Sequence, residues 1–242
     1  MSVMPKVKAC LFDMDGFLIN TEDMYTVATN TVLKKYNKPP LTWKIKIQLQ
    51  GRPGPKAAEL VIDWAKLHIT VEELTKQSSV VLDKMRPTCQ FLPGALELLK
   101  HLSETNVPIA LATSSAKDKY IAKTNHLREG FDLFGPHVIT GDDERIPPGR
   151  GKPCPDIWLL ALKSINDERA EKGLEIIKPE EVIVFEDGVP GAIGGRDAGA
   201  YVVMVPHPCA MDVLDVEYLK EVVGNGEVLT SLTEFDCTKF GL

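Results

Sequence analysis

Cysteine is scarce and unpaired in this chain: Cys10, Cys89, Cys154, Cys209 and Cys237 are odd in number, widely spread and free of any C-x-x-C pair. That speaks against a disulfide framework and offers no zinc-ligand spacing, so a reducing compartment is expected. Basic charge is also short, with 28 Lys and Arg against 34 Asp and Glu and a formal net charge of −6. Surfaces that coat nucleic acid or lie on membranes draw on a basic excess, so no nucleic-acid and no membrane partner is expected. An acidic balance still permits one anionic substrate in a small, locally positive pocket. No segment has the roughly 20 continuous apolar residues needed to span a bilayer. The chain enters a strand by about residue 7, which leaves no room for a signal peptide. The expected location is therefore cytoplasmic, or cytoplasmic and nuclear. Internal repeats and low-complexity tracts are missing as well.

What is present has the balance of an ordinary globular protein, 44% hydrophobic and 26% charged. A length of 242 residues suits one large domain or two modest ones. The stretch around which the rest is organised is Leu11-Phe12-Asp13-Met14-Asp15-Gly16, directly after the β-leaning run Val7-Lys8-Ala9-Cys10. Two carboxylates end a strand, and a glycine lets the backbone turn at once. Ligands of open α/β sheets sit at the carboxyl ends of strands, so such a pair faces substrate. D-x-D alone is common in turns and helix starts; its weight here comes from later segments.

From Thr21 to about Arg86 apolar residues recur at helical spacing: Tyr25, Ala28, Thr29 and Val32, then Ala57, Leu60, Val61 and Trp64, then Leu74, Val81, Leu82 and Met85. Turn signals at Asn37-Lys38-Pro39-Pro40, Gly51-Arg52-Pro53-Gly54-Pro55 and Ile69-Thr70 separate them. No convincing strand occurs there, so a helical module inserted after the first strand is expected. Helices and strands alternate afterwards. Helices are expected over Pro93 to Leu102, Lys117 to Leu127, Pro155 to about Ile165 and Val189 to Ala198. Strands are expected over Pro108 to Ala112, His137 to Thr140, Glu181 to Phe185 and Tyr201 to Val205, with a last edge strand at Gly226 to Leu229. Asn166 to Lys178 reads as an elongated, solvated connection. The pattern is α/β: a doubly wound, Rossmann-like parallel sheet, residues 1–16 and 91–242, with an inserted helical cap, residues 17–90.

Three further segments place polar groups at strand ends. In Ala110-Leu111-Ala112-Thr113-Ser114-Ser115, hydroxyls and free backbone N–H groups can hold phosphate oxygens, although Ser and Thr are also ordinary helix caps. In Gly151-Lys152-Pro153-Cys154-Pro155-Asp156, prolines fix one lysine just ahead of a helix, where its ammonium can neutralise a phosphoryl group or a carboxylate. In Val182-Ile183-Val184-Phe185-Glu186-Asp187-Gly188, acids again follow an apolar strand. Asp13, the Asp15 backbone carbonyl and Asp187 would provide the hard oxygen ligands that Mg²⁺ prefers.

With those residues in order, the chain resembles phosphatases of the haloacid dehalogenase superfamily that carry a helical cap. Asp13-Met14-Asp15-Gly16 matches the first motif, Thr113 the second, Lys152 the third and Glu186-Asp187 the fourth. Within the superfamily, Ala110 to Ser115, Gly141-Asp142-Asp143 and Gly151 to Ile157 are most similar to the pseudouridine-5′-phosphatase group. Two features depart from the pattern: Asn20-Thr21-Glu22 stands where Asp-Thr-Glu or Asp-Ser-Glu is usual, and the connections 145–150 and 166–178 look long.

The resemblance implies a Mg²⁺-dependent phosphomonoesterase for a small metabolite, a nucleotide- or sugar-type monophosphate. Asp13 would attack phosphorus and form an aspartyl-phosphate, and Asp15 would act as general acid and then base. Thr113 and the Ser114 backbone N–H would hold phosphoryl oxygens, with Lys152 balancing their charge. Asp13, Asp15, Asp187 and Glu186 form the expected metal set, Glu186 as ligand or as acceptor behind one. Gly51 and Arg52 would belong to a substrate-facing cap loop. The alternative is a sugar phosphomutase, which could keep every core residue; a dehalogenase would not need Asp15, and a mere binding protein would have no reason to hold all four charged groups. No second chain is implied, so a monomer is expected. His68, His101, His126, His137 and His207 show no ligand spacing and read as surface or helix-end residues, while Trp64 and Trp158 read as core.

Overall fold

Alternation along β1 (Ala9–Phe12) sends Ala9 and Leu11 into one apolar cluster and Cys10 and Phe12 into another, so the first strand is buried on both faces. The computed structural model, which describes residues 6–52 and 54–242, builds the rest of a sheet around it. Along the chain follow α1 (Thr21–Lys35), α2 (Trp43–Lys46), α3 (Gly54–Ala65), α4 (Val71–Met85), α5 (Ala95–Glu104), β2 (Ile109–Ala112), α6 (Lys117–Thr124), α7 (Arg128–Phe131) and β3 (Val138–Ile139). Then come α8 (Asp156–Glu171), β4 (Val182–Glu186), α9 (Val189–Asp197), β5 (Tyr201–Met204), α10 (Pro208–Met211), α11 (Val216–Val223) and β6 (Glu227–Val228).

Every strand pairing is parallel, in the order β3-β2-β1-β4-β5-β6. The chain winds outward in both directions from β1 and β4, and that reversal opens a crevice at the strands' carboxyl ends. Cys10 pairs with Ile183 and Phe12 with Phe185, which puts Asp13 beside the end of β4. Phe12 stacks on Phe185 at 4.7 Å between ring centroids, and Phe134 meets Phe12 edge-on at 6.0 Å. Such aromatic pairs add about 0.5–1.5 kcal/mol beyond their burial. The opposite face is filled by α8, whose Trp158, Ala161, Leu162 and Ile165 pack on Leu11 and Val184.

Helices α1, α3 and α4 carry an apolar cluster of their own, with Val32, Leu33, Ala58, Val61 and Leu74 buried in it. α4 starts where Thr70 and Glu73 cap each other's backbone N–H groups, at 3.2 and 2.9 Å. Pro53, inside the turn expected at Gly51 to Pro55, lies outside the described residues. The chain leaves and re-enters the sheet layer through two adjacent crossings, bridged at Ile19 and Phe91. Asn20 ties them: its N–H donates to Gln90 O, and its side-chain oxygen accepts the Gln90 N–H at 2.8 Å. Phe17, Leu18 and Ile19 pack with Phe12 and Phe185 in the sheet cluster.

Three expectations are corrected. Asn166 to Lys178 is not an open connection, because α8 continues to Glu171. Good helix formers and the Lys163–Asp167 and Lys172–Glu168 pairs carry its solvated last turns. Asn166 then bonds both backbone groups of Ile177, fixing the returning chain. His137 is not a solvated residue, since its ring bridges Ser164 at 2.7 Å and Glu168 at 2.6 Å. His207 stacks on Trp43 of α2 at 4.4 Å and lies 3.4 Å from Asp23, so it belongs to the contact between helical module and sheet layer.

Candidate active site

Asp13 follows β1 in register, its N–H donating to Phe185 O at 2.9 Å, and its side chain is almost fully buried. Lys152 reaches it from the loop before α8: Nζ donates to Asp13 Oδ1 at 2.5 Å and to Glu186 Oε1 at 2.8 Å. The same ammonium lies 4.4 Å above the Trp158 ring, and the Trp158 N–H donates to Gly191 O at 3.0 Å. Trp158 is thus core, as expected, and also a wall that holds the lysine. Glu186 accepts through its other oxygen from the Gly188 N–H at 2.6 Å, so both of its oxygens meet protein donors. A side chain on Gly191 would collide with Glu186, its Cβ lying 1.6 Å from Oε1.

Asp187 completes the group. Asp13, Glu186 and Asp187 offer oxygens within 4.8 Å of one another, all three buried. Gly16, at φ +85°, makes the turn that brings them close; a Cβ there would lie 2.4 Å from Asp187 Oδ2. Burial pushes the Asp187 carboxyl well above the usual range, and the nearby carboxylates of Glu186, Glu22 and Asp13 push it further. Asp13 is raised for the same reason, with Lys152 opposing the shift and Glu186 and Asp15 adding to it. Of these three buried carboxylates, only Asp13 and Glu186 meet the Lys152 ammonium. The donor set is hard oxygen with an excess of negative charge, which fits a divalent cation.

Asp15 faces a different set of partners. Its Oδ1 accepts from Thr21 Oγ1 at 2.7 Å and from Lys123 Nζ at 2.5 Å; its Oδ2 accepts from Lys123 at 2.7 Å, Ser115 at 2.8 Å and Thr113 at 3.4 Å. Burial alone would raise this carboxyl, but Lys123 and the Thr21 and Ser115 hydroxyls outweigh it and hold it below the usual range. Thr113, wholly buried, also accepts the Ser115 N–H at 3.1 Å.

The remaining expected residues line a cavity of about 520 Å³ between the strand ends and the helical module. Ser114, Gly51 and Arg52 are in its wall, and Arg52 donates to Gln48 O at 2.6 Å without touching either carboxylate group. Gln50 of the same loop does reach in, donating to Asp187 Oδ2 at 3.2 Å. Buried Lys46 donates to Glu22 O at 2.6 Å and to Thr26 Oγ1 at 2.5 Å, and so docks α2 on α1. Sequence reasoning missed Thr21, Gln50, Ser115 and Lys123. The signal for Lys123 was weak: Tyr120, three residues before it on α6, packs partly buried against the sheet cluster.

A parallel sheet that collects buried acids and lysines at its switch point offers one place for a cation and an anionic ester. The chain belongs to the haloacid dehalogenase-like hydrolase family, whose model matches residues 7–199. A probable pseudouridine-5′-phosphatase of Saccharomyces cerevisiae is 54% identical over 98% of both chains. (DL)-glycerol-3-phosphatase 2 of Arabidopsis thaliana is 33% identical over 96% of this chain and 90% of its own. The crystal structure of a β-phosphoglucomutase from Clostridium difficile shares the fold, with a TM-score of 0.71 over 97% of both chains at 18% identity.

Proposed function

We propose that this phosphatase is a Mg²⁺-dependent enzyme that works through an aspartyl-phosphate on Asp13 and takes a nucleoside- or sugar-sized monophosphate of the pseudouridine 5′-phosphate type. The observation that carries the reading is the division of two carboxylates only two residues apart. Asp13 sits with Lys152, Glu186 and Asp187, whereas Asp15 sits with Lys123 and three hydroxyls.

In this reading an Asp13 oxygen forms a bond to phosphorus while the bond to the leaving oxygen breaks. Asp15, ionised in the free protein, takes a proton from the monoanionic ester as it binds and passes it to the leaving oxygen. Asp15 then accepts a proton from water, whose oxygen attacks phosphorus and releases Asp13. Lys152 holds Asp13 in line and, with the Thr113 hydroxyl and the Ser114 N–H, balances charge on the phosphoryl oxygens. Asp13, Asp187 and the Asp15 carbonyl would hold Mg²⁺, with Glu186 fixing Lys152 behind them; the ion supplies charge neutralisation and polarisation of the phosphoryl group. Helices α1 to α4 serve as the cap. Their side of the cavity offers Tyr25, Leu41, Leu49 and Leu82 beside Thr29 and Ser78, a half-apolar wall suited to a leaving group larger than glycerol. The identity of more than half to a relative named as a pseudouridine-5′-phosphatase points the same way, and it favours hydrolysis over phosphoryl transfer between sugar hydroxyls. Five free thiols suit a reducing, cytoplasmic setting.

The test is turnover with Mg²⁺ on a panel of esters: pseudouridine 5′-phosphate, uridine 5′-phosphate, ribose 5-phosphate, glycerol 3-phosphate and β-glucose 1-phosphate. The highest kcat/KM is expected on the pseudouridine ester. A preference for glycerol 3-phosphate would overturn the leaving-group assignment, and isomerisation of β-glucose 1-phosphate would overturn hydrolysis.

A further inference from the structure

Lys123 is a buried lysine outside the four motifs, with 1% of its side chain exposed. Among the described residues every contact of its ammonium belongs to one group: both Asp15 oxygens at 2.5 and 2.7 Å, Ser115 Oγ at 2.7 Å and the Tyr25 hydroxyl at 3.5 Å. Ser115 in turn donates to Asp15 Oδ2, closing a ring that leaves the carboxylate little freedom to rotate. The lysine's own backbone is anchored as well. Its carbonyl accepts from Cys89 Sγ at 3.0 Å, on the segment where the chain returns from the cap, and His126 bonds the Cys89 carbonyl at 2.7 Å. Burying an ammonium costs solvation that a packed hydrophobe on α6 would not, so a purely structural lysine is a poor use of this position.

We infer that Lys123 is the positioning residue for Asp15: clamped on both oxygens, its ammonium fixes the orientation in which that carboxylate meets the leaving-group oxygen. It touches Asp15 and not the substrate. The inference rests on the reading of Asp15 as proton donor and acceptor. It predicts a selective defect, because only esters whose leaving group must be protonated depend on that orientation during phosphorylation of the enzyme.

The experiment uses the full chain with Mg²⁺ and two esters, the alkyl ester turned over best in the panel and 2,4-dinitrophenyl phosphate, whose phenolate leaves unassisted. Single-turnover release of the leaving group is followed for wild type, Lys123→Met, Asp15→Asn and the double variant. Lys123→Met is expected to slow alcohol release roughly 10²-fold and dinitrophenolate release by less than about threefold. Asp15→Asn should show the same split, and the double variant should lose no more than Asp15→Asn alone. Equal losses on both esters in Lys123→Met, with the split intact in Asp15→Asn, would overturn the role of Lys123 alone. Absence of the split in Asp15→Asn would overturn the acid–base reading and this inference with it. If Lys123→Met does not fold, Ser115→Ala takes its place; it must show a smaller, still ester-selective loss, and an unselective one overturns the inference.

Discussion

Asp13 and Asp15 are the same residue type on one short stretch of backbone, the first buried and the second half-buried, each with a buried lysine at 2.5 Å, yet the protein treats them oppositely. Around Asp13 three carboxylates face one ammonium, and Asp13 and Asp187 are pushed to hold protons. Around Asp15 one carboxylate meets one ammonium and three hydroxyls, and it is held ionised. Desolvation pushes both carboxyls up, so the local charge count decides the sign. Excess negative charge makes a place for a cation and a phosphoryl group. A neutralised, multiply bonded carboxylate makes a fixed partner for proton transfer.

The largest effect that would break this comparison is loss of Asp13 itself. Asp13→Asn keeps the shape and Lys152's neighbour but removes the proposed nucleophile, and turnover should fall by roughly 10⁴-fold or more on every ester. The companion measurement is stereochemical. Two successive in-line displacements give net retention at a chiral phosphorus, and single attack by water gives inversion. An active Asp13→Asn protein, shown free of deamidation, would place the chemistry elsewhere.

Next in size is Asp187→Asn, which brings the count around Asp13 down to two carboxylates. Mg²⁺ affinity, read from the metal dependence of turnover, should fall by roughly 10²-fold. Stability of the metal-free protein should move the other way. A carboxyl raised in the folded state binds more protons folded than unfolded, so it lowers stability as pH climbs above the usual carboxylate range. In the chelator-treated wild type Asp187 should therefore add a downward slope of Tm with pH from about 4 towards neutrality, against the upward one from carboxyls held low such as Asp15. Asp187→Asn should flatten that slope and raise Tm near neutral pH. A slope unchanged by the substitution would mean that Asp187 is not under strain in the metal-free protein.

The two clusters also differ in how far they could be read from sequence. Asp13, Lys152, Glu186 and Asp187 all sit at strand ends or in a proline-stiffened loop, where an apolar run marks the strand and the polar residue after it is conspicuous. The sheet and its strands were legible for the same reason. Thr21, Ser115 and Lys123 come instead from the starts and inward faces of α1 and α6. A helical lysine reads as solvated unless the packing of that helix is known, and α6 has only a weak stripe. Gln50 arrives on a loop whose course depends on how Lys46 docks α2, a contact 24 residues apart in sequence. The end of α8 was misread because its last turns are polar all round and gain their order from ion pairs and from Asn166.

A single neutral donor gives a smaller effect that sharpens the contrast. Thr21→Val removes one hydrogen bond at 2.7 Å from the ionised Asp15 and leaves the Asp13 group untouched. Hydrogen bonds to charged groups contribute about 1.5–3 kcal/mol, and with the other donors to Asp15 kept the lower end applies, so kcat on an alkyl ester should drop roughly tenfold. The Mg²⁺ dependence should stay where it is in wild type. A shift in metal affinity instead would show that the two groups are coupled through the backbone between them.

The smallest effect concerns a residue that touches neither group. Arg52 lines the cavity on the cap side, exposed, with its Nε on Gln48 O and no carboxylate partner among the described residues. Its charge can act only on a substrate large enough to reach the cap. An exposed cation of this kind contributes about 0.2–1 kcal/mol, so Arg52→Ala should cost at most roughly fivefold in kcat/KM on a nucleoside monophosphate. Hydrolysis of 4-nitrophenyl phosphate, too short to engage that wall, should be unchanged. The loss should fade at high salt, because the Debye length falls to about 3 Å at 1 M and screens an exposed charge first. If the aryl ester suffers as much as the nucleotide, Arg52 acts through the fold of its loop and therefore through Gln50 on Asp187. The cap would then be part of the Asp13 group, and that cluster could no longer be treated as self-contained.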